Sequence, residues 1–118
     1  MLTMKMKLQP IKIVKKVWGE EHWIYNGEYC GKLLILDKDF RCSMHMHKIK
    51  HETFYVQEGK VLLELSEKQR ILNPGDAVVV PIGEYHRFTG LENSVIIEFS
   101  STHQDEDSYR TEMSGKIS

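Results

Sequence analysis

The chain has 118 residues, and 16 Lys and Arg stand against 17 Asp and Glu, for a formal net charge of -1 at pH 7. That length allows one domain with a real core and no second one, and a near-neutral, intermixed charge speaks against a nucleic-acid-binding surface. No run is long and apolar enough for a transmembrane helix, and Met1 to Lys7 lacks the continuous apolar stretch of a signal peptide; a cytoplasmic protein is expected, with Cys30 and Cys42 as reduced thiols.

Residues 1–10 combine Lys5 and Lys7 with several methionines ahead of Pro10 and read as a flexible arm. From Ile11 to Trp18 apolar residues alternate with lysines, which predicts an edge strand, and an edge strand offers a second subunit a pairing surface. A homodimer is expected on that ground. Trp23-Ile24-Tyr25 followed by Asn26-Gly27 predicts a strand ended by a hairpin turn. Cys30 to Leu36 is nearly continuous apolar sequence broken by Gly31 and Lys32, the pattern of a buried strand. After the turn Asp37-Lys38-Asp39 come a strand over Arg41 to His47, a short loop over Lys48 to Lys50, and a strand over Glu52 to Gln57. Glu58-Gly59-Lys60 is a tight turn, and the cluster Asn73-Pro74-Gly75-Asp76 another. Between them lie extended runs over Val61 to Ser66 and Arg70 to Leu72; Ala77 to Val80, His86 to Phe88 and Val95 to Phe99 follow. About nine or ten short strands with no long helix predict an all-β sandwich or barrel. The polar stretch from His103 onward, with Asp105-Glu106-Asp107, reads as a tail that is flexible over 111–118.

Side chains alternate along a strand, so His45 and His47 share one face, as do Glu52, Phe54 and Val56 on the next. A turn through Lys48 to Lys50 would bring the second strand back beside the first and set Glu52 against the two imidazoles. His86, inside Pro81-Ile82-Gly83-Glu84-Tyr85-His86, closes the set. Three imidazoles and one carboxylate suit a divalent transition metal (zinc, manganese, iron, nickel or cobalt), and affinity order does not choose among them. By the same alternation His51 and Arg87 point outward.

His45-x-His47 with Glu52 and Gly59, then Gly75 with Pro81-x-Gly83-x-x-His86, resemble the two signatures of the cupin superfamily in order and separation. Asp39 stands where the first signature usually has Gly, and Gly90 where the second often has Asn. The resemblance implies a cupin-type double-stranded β-helix, a jelly-roll barrel, forming one domain over 11–110. Trp18-Gly19, Glu28-Tyr29-Cys30-Gly31-Lys32, His86-Arg87, Ile97-Glu98 and Asp105-x-Asp107-x-x-Arg110 further resemble the cupin domain of type II mannose-6-phosphate isomerases. That likeness implies aldose–ketose isomerisation of a sugar or sugar phosphate, in which the metal polarises a carbonyl while a base moves a proton between two carbons. Lys32 and Glu98 are the candidates for that base, and Lys32, Lys50, Arg87 and Arg110 the candidates for holding substrate anions. Two other functions fit the same donors: a non-catalytic cupin that binds a carbohydrate or nucleotide sugar, and an iron-dependent dioxygenase.

Overall fold

The structure, a computed structural model, describes residues 9–117, so most of the arm expected over 1–10 lies outside the described residues, as does Ser118. Thirteen strands follow in chain order: β1 (Lys12–Lys16), β2 (Gly19–Asn26), β3 (Cys30–Leu36), β4 (Phe40–Arg41), β5 (Met44–Met46), β6 (Glu52–Glu58), β7 (Val61–Leu65), β8 (Gln69–Leu72), β9 (Ala77–Val80), β10 (His86–Gly90), β11 (Ser94–Ser100), β12 (Tyr109–Glu112) and β13 (Gly115–Lys116). One 3-10 turn, Asp105–Asp107, is the helical exception among the described residues. No helix among them is long and apolar enough to cross a membrane.

Every pairing is antiparallel. One sheet runs β1-β2-β3-β11-β6-β9, and the other has β10 at its centre, with β7 on one side and both β4 and β5 on the other; β8 extends β7, and β12 and β13 extend β5 and β4. The two sheets face each other as the sandwich expected of an all-β jelly roll. Left-handed turns are where the chain needs them: Gly59 between β6 and β7 has φ 89°, and a side chain there would collide with Asn93 and Ser94.

The inward file of each central strand changes character along its length. Leu36 and Leu34 lead back to Lys32 on β3, Val56 and Phe54 lead back to Glu52 on β6, Ile96 precedes Glu98 on β11, and Phe88 leads back to His86 on β10; all are buried. Ile96 lies opposite both Leu34 and Val56, whereas Glu98 lies between Lys32 on one side and Phe54 on the other, so the boundary between the apolar and charged parts crosses the sheet at Glu98. One half of the interior is therefore a hydrophobic core, joined by Val61, Leu63, Leu72 and Val80, and the other half is lined with charge. The apolar half supplies the burial that holds the sheets together, and it leaves the polar half for chemistry.

Three expectations are corrected. The strand expected over Arg41 to His47 is two pieces: Arg41 pairs with Thr89 and His45 with His86, so this side carries one residue more than β10 between the same rungs. That extra residue is a bulge around Cys42 and Ser43, tied to β10 by Cys42 N–H donating to Phe88 O at 3.1 Å. The tail expected over 111–118 instead contributes to β12 and supplies β13, because the backbone of β5 and β4 left an open edge that these segments pair with. Arg87 shares neither the cavity nor the solvent. It faces away from the interior, as alternation requires, but is only 2% exposed because Glu112 and Met113 cover it.

Candidate metal centre

The bulge and the register bring three imidazoles together from two elements. His45 on β5 lies directly across from His86 on β10, with ring centroids 4.4 Å apart, and His47 follows β5 at its end. One ring nitrogen from each of the three lies within 4.8 Å of the others. Glu52 opens β6 and brings its Oε1 to 3.4 Å from His47 Nε2 and 3.3 Å from His86 Nε2. The four residues expected to ligate a metal thus converge.

The backbone fixes which nitrogen each ring presents. Nδ1 of His45 donates to Ser43 O at 2.7 Å, Nδ1 of His47 to Asp107 O at 2.9 Å and Nδ1 of His86 to Glu84 O at 3.0 Å. A ring whose Nδ1 carries the proton offers a lone pair at Nε2. His47 Nε2 and His86 Nε2 are buried and have no hydrogen-bond partner among the described residues, yet both face a carboxylate oxygen. Lone pairs converging on an anion in a buried space call for a cation between them. The donor set fits a divalent metal bound through three Nε2 atoms and Glu52 Oε1.

Electrostatics agree. Burial, reinforced by the nearby His86, pushes His45 down to about 3, and burial also lowers His47, so both rings stay neutral and able to ligate. Burial alone would raise Glu52, but its contacts with His86, Lys50 and His47 outweigh that and hold the carboxyl at about 2. It remains an anion.

Lys50, placed in a loop by the sequence, is turned inward and is only 3% exposed. Its Nζ reaches Glu52 Oε2 at 3.1 Å, Glu98 Oε2 at 3.1 Å and His103 Nδ1 at 2.9 Å. Burial disfavours that ammonium, but Glu98 and Glu52 more than compensate and raise its pKa. Lys32, across from Glu98, sits 3.5 Å from Glu21 Oε1 and 4.1 Å from the centre of the Trp23 ring, a cation–π contact. Glu98 also accepts from Ser100 Oγ at 2.8 Å. Lys32, Glu98, Lys50 and the mouth residue Arg110 all line one cavity of about 340 Å³ with the three histidines and Glu52. Arg87 does not line it, so the cation expected to meet substrate there is instead a structural one. It donates to Cys42 O at 3.0 Å beneath the C-terminal strands.

Asp107, Glu21, Trp23 and His103 carried no role in the sequence reading. Asp107 is the most connected of them: its carboxylate accepts from the backbone N–H groups of Lys48 (2.9 Å), Ile49 (3.1 Å) and Lys50 (2.9 Å). Those bonds lower its pKa against the opposing effect of burial. The same residue's carbonyl holds His47, so one turn grips both the ligand and the loop that delivers Lys50. The acidic triplet containing it was visible in the sequence, but its partner 57 to 60 residues away was not. His51, expected outside, is exposed.

Comparison with known proteins agrees with this fold. The family model described as Cupin domain matches residues 33–99. No curated protein matches the chain by sequence. Among solved structures, KdgF from Halomonas sp. is 26% identical, with a TM-score of 0.69 over 74% of this chain and 81% of that one. The capsular polysaccharide assembling protein CapF from Staphylococcus aureus is 18% identical, with a TM-score of 0.76 over 88% of this chain. An oxalate decarboxylase variant from B. subtilis is 12% identical, with a TM-score of 0.76 over 85% of this chain. The chain spans only 35% of the CapF chain and 30% of the decarboxylase, and at such identities these two likenesses speak for the fold alone.

Proposed function

The chain belongs to the cupin domain family, and on that premise we propose that it is a metal-dependent isomerase of a small sugar or sugar phosphate, similar to type II mannose-6-phosphate isomerases. The observation that carries this reading is the placement of a buried carboxylate, Glu98, in the same cavity as the three imidazoles and Glu52, with a lysine on each side of it. A divalent metal held by His45, His47, His86 and Glu52 would supply Lewis-acid polarisation of a substrate carbonyl. Glu98 takes the proton from the adjacent carbon and returns it to the former carbonyl carbon, while the hydroxyl proton passes from the one substrate oxygen to the other. Lys50 and Ser100 hold one of its oxygens, which orients the other. Lys32 is the second candidate for the base. Its ammonium, with Lys12, Lys16 and Arg110 around the cavity, makes the entrance favourable to an anionic substrate. Cys30 and Cys42, both unpaired thiols, fit a cytoplasmic protein.

Metal-loaded protein incubated in deuterated water with a panel of aldose and ketose phosphates is expected to introduce deuterium beside the carbonyl of at least one of them. Glu98→Gln should slow that exchange by about 100-fold or more while keeping its metal. No exchange with any substrate overturns the isomerase reading. Saturable binding without exchange supports a second one, a carbohydrate- or nucleotide-sugar-binding cupin without turnover. One observation favours that alternative: Lys50, Glu98 and Lys32 are already engaged with one another or with Glu21 and Ser100.

A further inference from the structure

The outer face of the six-stranded sheet is built like an interior. Antiparallel sheets with one wet side alternate apolar and polar residues, but the outward residues of β3 and β11, Leu33, Ile35, Val95, Ile97 and Phe99 besides Gly31, are apolar as well. Reading straight across the strands through their register, one row of outward residues is Ile13, His22, Leu33, Ile97, Tyr55 and Ala77. The neighbouring row has Tyr25, Gly31, Phe99, Thr53 and Val79, so Gly31 lies between two rings. Neither contains a carboxylate or an ammonium. Charge enters only at the margin, in the row where Ile35 and Val95 are flanked by Lys15, Glu20 and Glu58, and there Lys15 and Glu20 already neutralise each other at 3.0 Å. Phe99 is 56% exposed, Val79 55% and Ile13 54%. A monomer rarely leaves an apolar sheet face of this breadth in water.

We propose that this face docks against the same face of a second copy of the chain. Three features select that occupant. The face is uncharged, so two copies meet without like-charge repulsion, whereas a basic or acidic partner would find no counter-charge at its centre. Strand spacing and rise give it a width of about 25 Å and a length of about 20 Å, a flat area of about 500 Å², which side-chain relief and the polar margin extend towards the roughly 800 Å² per partner of a stable interface. The third is shape. Phe99 lies directly across from Gly31, and nothing stands within 4 Å of where a Gly31 side chain would be. A protruding ring beside an open notch is self-complementary about a two-fold axis: Phe99 of each copy enters the notch at Gly31 of the other. The polar margin then forms the rim that such interfaces carry. The β1 edge, where the sequence suggested a partner, need not pair, and the cavity is lined by the opposite side of this sheet.

Sedimentation velocity of the full chain over a concentration series tests the proposal. The native protein is expected to be a dimer. Phe99→Glu and, separately, Gly31→Val should each raise the dimer dissociation constant by at least about tenfold. Gly31→Val is the sharper variant, because a strand gains from valine and the site has room for it, so the monomer keeps its fold and its melting temperature. Mixing Phe99→Glu with Phe99→Lys chains should restore dimers that neither forms alone. A monomeric native protein overturns the proposal and leaves the face to a different partner, and a Gly31→Val protein as dimeric as the native chain overturns the notch.

Discussion

At the scale of single residues, His47, His86 and Asp107 differ in kind although all three touch the same site. His47→Ala and His86→Ala remove a donor whose Nε2 has no other partner. Either variant is expected to keep its circular dichroism spectrum and lose most of its metal by elemental analysis. Asp107 offers the metal nothing directly, but it fixes the ring of His47 and three successive backbone N–H groups of the loop. Asp107→Ala should therefore weaken metal binding by about 10–100-fold, as losses in the supporting hydrogen bonds of a metal site do, measured by competition with a chromophoric chelator. Metal affinity unchanged in that variant would mean the loop holds its shape alone. The four donors were legible in the sequence because His45 and His47 obey the two-residue period of a strand and Glu52 and His86 stand at the spacing of the two cupin signatures. Lys50 was a candidate cation, but its pairing with Glu52 and Glu98 was not legible, and neither was the grip of Asp107, because both depend on which distant segment folds over the loop.

At the scale of elements, the two departures from the family signatures meet in space. Asp39 adopts φ 69°, the left-handed conformation a glycine would supply there. Its N–H donates to Gly90 O at 2.9 Å, and a side chain at Gly90 would press against the carbonyl of Asp37. The turn thus keeps the backbone geometry of the signature with the small residue on the other strand. Asp39→Gly is expected to stabilise the protein by about 0.5–1 kcal/mol in urea denaturation, and a destabilised variant would show that the Asp39 side chain matters more than its backbone. Most strands were legible from alternation and turn residues. The split of Arg41 to His47 was not, since a bulge is defined by the strand opposite, and neither were β12 and β13, whose polar sequences become strands only because β5 and β4 offer an edge.

At the scale of the whole molecule, one interior serves both as a core and as a charged site, which makes stability depend on pH. In metal-free protein, His45 is held near 3 against an ordinary value of 6.5. Above pH 6.5 neither the folded nor the unfolded chain protonates it, and its contribution is complete. As pH falls from 6.5 towards 3 the unfolded chain takes a proton that the folded one refuses, and stability drops by at most about 1.4 kcal/mol per pH unit. Below 4.5 Glu52, held near 2, adds a loss of the same sign. Urea denaturation in the presence of chelator should show this slope, and His45→Asn should reduce it between pH 6.5 and 4.5, with His47 and His103, both lowered chiefly by burial, supplying the remainder. A chelated native protein whose stability is level across that window would mean His45 is free to protonate. Because the apolar half does not touch the metal, the metal-free protein is expected to remain folded throughout the upper part of this range.

The amino-acid sequence by itself determined an all-β chain, the faces of its central strands and the spacing of three histidines and a glutamate. The strands and their faces follow from a local period that each strand carries wherever it packs, and the four donors from a spacing along the chain that matches the cupin signatures. Only the tertiary structure decided how the charges were spent: Lys50 against Glu98, 48 residues away, and Arg87 beneath a C-terminal segment that closes the second sheet. Buried charges take whichever partner the fold brings within reach, because leaving one unpaired costs more than any local preference can repay.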